Sequence, residues 1–95
     1  MQLIILSNAE KELQYTIDYY NDQLPGLGDQ FYNEILTAFD LILGFPVGWT
    51  KAGEDTRKFI LKRFPYLVLY VVHEQKIVVN AIAHQHRHPD SYMKR

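Results

Sequence analysis

The spacing of apolar positions changes several times along this chain. QLIIL (residues 2–6) is a short unbroken apolar run, the pattern of a buried strand. Ser7-Asn8-Ala9-Glu10 follows with the spacing of a capping box, in which Ser7 accepts from the Glu10 amide and the Glu10 carboxylate reaches back. A first helix is expected from there to about Asn21, because Ala9, Leu13, Ile17 and Tyr20 recur on one helical stripe. DQLPGLG interrupts it, since proline and glycine are strong breakers.

A second helix is expected over residues 29–43. Phe31, Ile35, Ala38, Phe39 and Ile42 form its stripe, and Tyr32, Leu36 and Leu43 widen it. A face that broad calls for two neighbours, the first helix and a sheet. GFPVGWTKAGED then reads as a loop. Three strand-like runs finish the chain: residues 56–63, then 66–74 after a tight Phe64-Pro65 step, then 77–84 after a Gln75-Lys76 turn. Residues 66–72 are apolar at both parities, as in a central strand covered on two sides. The expectation is an α+β single domain over 1–95, ordered β-α-α-β-β-β. Its helical hairpin packs on a twisted antiparallel sheet, with Leu13, Ile17, Phe31, Ile35, Phe39, Val68 and Tyr70 in the core.

Composition sharpens this. At 95 residues and 47% hydrophobic the chain can build one core, of the size where a partner that covers apolar surface matters. No cysteine is present, so disulfides and Cys-based zinc sites are excluded. The apolar start is too short for a secretion signal or a membrane span, and a cytoplasmic protein with no membrane partner is expected. The net charge of −1 hides a division. Residues 1–55 carry nine acidic and two basic side chains, whereas residues 56–95 carry two acidic and eight basic. Such a bipolar chain suggests that the basic part meets a polyanion.

The candidate chemistry lies in that basic part. His84, His86 and His88 alternate near the end, but three in a row along one strand suit tetrahedral zinc poorly. No metal and no cofactor are expected. Acid–base work on RNA without metal is the alternative, because a histidine near neutrality can move a proton while cations stabilise the charge building on phosphate. His84, Arg87 and Tyr92 sit close in sequence, and Arg57, Lys58, Lys62, Arg63 and Lys94 supply positive charge around them.

RKFILKRFPYLVLYVV, followed by IVVNAIAHQHRHPDSYMKR, resembles the RelE/ParE superfamily of type II toxin–antitoxin toxins. The likeness runs through Arg57, Arg63-Phe64-Pro65-Tyr66, Tyr70, Ala81, His84, Arg87, Pro89 and Tyr92, and AEKELQYTIDYYNDQLPGLGDQFYNEI is similar to the family's helical hairpin. The resemblance implies a toxin neutralised by a cognate antitoxin. One branch, RelE-like, cuts mRNA on the ribosome without metal. That reading makes His84, Arg87, Tyr92 and Arg63 the catalytic set, and Arg57, Lys58, Lys62 and Lys94 the holders of RNA phosphate. Leu67 stands where RelE-type enzymes commonly carry a basic residue. The other branch, ParE-like, inhibits DNA gyrase and has no nuclease activity, and a third outcome is an inactive relative that only binds its antitoxin. The basic sheet and the His/Arg/Tyr tail make the mRNA endoribonuclease the leading expectation.

Overall fold

In a computed structural model, residues 1–86 are described. The elements are β1 (Gln2–Ile5), α1 (Ser7–Gln23), α2 (Leu27–Gly44), β2 (Thr50–Lys51), β3 (Thr56–Ile60), β4 (Tyr66–His73) and β5 (Lys76–His84). The strands make a single five-stranded sheet in the order β1-β5-β4-β3-β2. The expected α+β hairpin-on-sheet arrangement is present, with two refinements. β1 joins the sheet parallel to β5, so the sheet is mixed. Parallel neighbours need a long crossover, which everything from α1 to β4 supplies. The loop after α2 also contributes a two-residue strand, β2, against β3.

The capping box does not form. Leu6 occupies the N-cap in extended conformation without a side-chain bond, and the Glu10 amide donates to the Leu6 carbonyl (2.9 Å). Ser7 is already inside the helix. α1 is instead tied to β5: Asn8 Nδ2 donates to the Asn80 carbonyl (2.8 Å), and the Ile82 amide donates to Glu12 Oε1 (3.1 Å). At the other end Gly26 takes a left-handed φ of 91°, which a side chain would resist, and opens α2.

The core lies between the helices and one face of the sheet. Leu13, Phe31, Ile35, Phe39, Val68 and Tyr70 are buried there as expected, while Ile17 is half-buried at its edge. Tyr20, Phe31, Phe64 and Tyr66 pack edge to face or tilted, with ring centroids 5.1–6.1 Å apart. The second row on α2 follows expectation only in part: Leu43 packs against the core. Tyr32 and Leu36 remain exposed, because α1 and the sheet together cover only the stripe through Phe31 and Ile35.

β3 ends at Ile60 and not at residue 63, because Glu34 of α2 captures the next amides: Glu34 Oε1 accepts from Lys62 (2.7 Å) and Arg63 (2.9 Å). The β4–β5 turn falls on Glu74-Gln75, one residue earlier than expected, with Glu74 left-handed at φ 56°. The β4–β5 register slips once. Leu69 pairs with Ala81 and Tyr70 with Val79, so Asn80 is an extra, unpaired residue: a β-bulge. Before it, Ile77 and Val79 face the core; after it, Ile82 does, and Ala81 and Ala83 face the opposite side with Leu67 and Leu69.

Tyr70 is fully buried and its hydroxyl donates to the Pro46 carbonyl (2.7 Å). Burial raises its pKa, only partly offset by the nearby Arg57 guanidinium, and burial with the neighbouring Tyr66 and Tyr19 also raises that of Tyr20. The folded state therefore keeps phenol protons that the unfolded chain releases near pH ~10. This contribution to stability is complete below that pH and is lost as pH rises toward the folded values. Melting temperature should fall steeply in that alkaline window, and Tyr70→Phe should flatten the fall while lowering stability at neutral pH. Thermal melts read beside tyrosinate absorbance check both.

Candidate functional site

His84 ends β5, half-buried, directly across from Tyr66. Because the bulge has changed which residues face the helices, His84 lies on the same side as Ile82, and its ring meets Tyr66 edge-on (5.1 Å). The His86 ring lies 5.2 Å away, and the His86 amide donates to His84 Nδ1 (3.1 Å). With Nδ1 accepting, neutral His84 carries its proton on Nε2. Beside it α1 contributes a cavity of about 240 Å³ lined by Lys11, Glu12, Tyr15, Thr16, Tyr66 and Ile82. Tyr66 was legible as part of the RFPY step. Lys11, Glu12 and Tyr15 were not, since nothing local connects a first helix to the end of a last strand.

Arg63 lies on the turn between β3 and β4. Its guanidinium is mostly exposed, with Nε 3.6 Å from Glu34 Oε2. Glu34 thus fixes the turn through two backbone amides and balances the charge of the arginine it positions. Hydrogen bonds to a charged group contribute about 1.5–3 kcal/mol each. Glu34→Ala should therefore destabilise the protein by about 2–3 kcal/mol, discounted for the exposure of the turn. Glu34→Gln, which keeps an acceptor but not the charge, should recover part of this in urea unfolding.

The other cations do not share one face. Arg57 points to the helix side, where Nη1 donates to the Trp49 carbonyl (2.8 Å) and the ring of Trp49 meets Phe59. Lys58, the next residue on β3, points to the opposite side of the sheet, paired in register with Leu69 and Thr50. Lys62 is exposed on the turn with Arg63. Arg87, Tyr92 and Lys94 lie outside the described residues. Among the described residues, then, His84, Tyr66 and the 62–63 turn belong to the end of the sheet where β4 begins. Arg57 lies towards the other end and Lys58 on the other face.

Among the described residues no group of three His, Asp or Glu side chains is placed to hold a metal ion. No helix among them is long and apolar enough to cross a membrane.

The model of the ParE toxin of type II toxin–antitoxin systems, parDE, matches residues 3–89. The chain belongs to the ParE toxin family. Its fold is also that of a solved structure described as the chromosomal ParDE TA system from P. aeruginosa. The TM-score is 0.78 at 18% identity, over 88% of this chain and 95% of that one. No curated protein matches the sequence. The chain is a type II toxin, and such a system supplies an antitoxin as the toxin's partner. The match carries the chain into the ParE branch of the superfamily, the one that the leading sequence expectation had placed second.

Proposed function

We propose that this toxin acts by binding a protein target, DNA gyrase, and that it does not cut RNA. The observation that carries the reading is the match to the ParE family over residues 3–89, nearly the whole chain. The distribution of charge supports it. RNA cleavage needs cations gathered around one scissile phosphate, where charge builds in the transition state. Arg57 donates to the Trp49 carbonyl, Arg63 lies against Glu34, and Lys58 is on the far side of the sheet. Leu67, buried on β4, leaves apolar a position where RelE-type enzymes place a cation. The antitoxin, in this reading, neutralises the toxin by covering the surface that gyrase would meet.

The test separates target from chemistry. Purified toxin is added to relaxed plasmid with DNA gyrase, and in parallel to a translating extract whose mRNA is mapped by primer extension. Inhibited supercoiling with intact mRNA is the expected result. Cleaved mRNA with normal supercoiling would replace this reading with the ribosome-dependent nuclease and return His84, Arg63 and the residues beyond 86 to a catalytic role.

A further inference from the structure

Lys62 and Arg63 stand side by side on the turn between β3 and β4, flanked by two buried residues, Leu61 and Phe64. The turn is fastened from three elements. Glu34 of α2 accepts from the amides of both cations (2.7 and 2.9 Å). The Leu61 amide donates to the Tyr66 carbonyl at the start of β4 (3.0 Å), and the Gln85 amide, just after β5, donates to the Pro65 carbonyl (2.8 Å). Both cationic side chains are nevertheless exposed. Arg63 keeps 66% of its side chain open although its Nε lies 3.6 Å from Glu34 Oε2. Charges carried on a fixed backbone lose less freedom when they bind, the property of a pre-organised contact.

Two carboxylates at this end of the sheet are engaged with backbone: Glu34 with the turn itself, and Glu12 with the Ile82 amide (3.1 Å). The one acidic residue of 56–86, Glu74, lies in the β4–β5 turn at the opposite end. Beside Lys62 and Arg63 a hollow of about 310 Å³ is lined by Glu34 and by Gln30, Asn33 and Thr37 of α2. Arginine, lysine, side-chain amides and hydroxyls are the groups that meet phosphate oxygens along a nucleic-acid backbone. A protein partner calls for something else, since the centre of a protein interface is aromatic or apolar and poor in lysine. None of the described residues lining this hollow is aromatic or aliphatic.

We propose that the Lys62-Arg63 turn and its hollow contact the phosphate backbone of duplex DNA held by gyrase, so that the toxin binds the gyrase–DNA complex more tightly than gyrase alone. The proposal rests on gyrase as the target, an enzyme that brings this polyanion to whatever binds beside its DNA path. A backbone contact needs positive charge within reach of successive phosphates. It does not need cations converging on one scissile phosphate, the arrangement this fold lacks among its described residues. The division of charge along the chain then has a use: the basic half meets a polyanion without cutting it.

Fluorescence anisotropy of labelled toxin, titrated with gyrase alone and with gyrase loaded with linear duplex DNA, tests it over a series of salt concentrations. DNA is expected to tighten binding about tenfold at low salt, and the gain should shrink as salt rises, by roughly one unit of log–log slope for each cation. The double variant Lys62→Gln, Arg63→Gln should keep the circular dichroism and the affinity for DNA-free gyrase, and lose the gain. Lys76→Gln, an exposed cation at the other end of the sheet, should keep it. Equal wild-type affinity for the two forms of gyrase overturns the proposal, and so does a double variant that still gains from DNA. A double variant weakened equally towards both forms overturns it too, and assigns the turn to a protein contact. A wild type that binds neither form removes gyrase as the target, an outcome distinct from all of these.

Discussion

Phe31→Ala is expected to remove a large share of this protein's folding stability. Phe31 is wholly buried on α2, and its ring meets those of Tyr20, Phe64 and Tyr66 within 5.2–5.6 Å. These three partners come from α1, the β3–β4 turn and β4, so the ring is where both helices and the sheet meet. Removing a buried phenylalanine costs about 3–5 kcal/mol, through lost burial and an unfilled cavity. A domain of this size is stable by only about 5–10 kcal/mol. Urea unfolding followed by tryptophan fluorescence should show the midpoint falling by a third or more. Phe31→Leu should cost much less, because it fills most of the volume. Equal losses for both would mean that the aromatic contacts, and not the packing, carry the energy.

Gly28→Ala should be nearly as damaging, for a different reason. Gly28 opens α2 where that helix crosses α1, and its amide donates to Asn21 Oδ1 (2.8 Å). A methyl there would fall on the Ile17 carbonyl oxygen, with the Asn21 side chain within 2.8 Å. Asn21 can turn aside, at the loss of its bonds to Gly26 and Gly28; the α1 backbone cannot. The helices must therefore part at this end, opening the packing of Tyr20 on Phe31. Overpacking of this kind typically costs about 1–3 kcal/mol, and a backbone obstacle places the change at the upper end. Gly44→Ala is the control: an added methyl there meets nothing within 4 Å, and alanine is the better helix former. Gly44→Ala should be neutral or stabilising in the same urea series.

These results bear on how much the chain declares of itself. The helical stripes through Leu13 and through Phe31-Ile35-Phe39, and the doubly apolar run of β4, identify the hairpin and the central strand, because burial is what those periods encode. What was not legible arises from contacts between distant residues. Glu34 ends β3 early by taking the amides of residues 62 and 63 from α2. Arg57 looks like a phosphate ligand in a basic run until Trp49, from a loop, takes one of its donors. A count of lysines and arginines reports charge but not the partners already assigned to it. The exposed row Tyr32-Leu36 had the opposite fault. Helical periodicity marks it as apolar, but cannot say whether the cover comes from the same chain.

The cavity under α1 similarly joins Glu12 and Tyr15 to Tyr66, residues that no linear motif connects. The RFPY step and His84 were visible as a neighbourhood, whereas its wall was not.

The extra residue at Asn80 gives the length of β5 a chemical meaning. In a loop, one residue more or fewer changes reach. Here the unpaired residue resets the alternation, so that Ile82 and His84 stand on the helix side although Ile77 and Val79 before them have the other parity. A strand without Asn80 would alternate regularly and still set its histidine across from Tyr66, whereas a strand of the same length with Asn80 paired into the ladder would turn that histidine to the opposite face. Where such sequences are compared, the count of residues between the β4–β5 turn and the histidine has to be read together with the bulge before a shared motif names a shared surface.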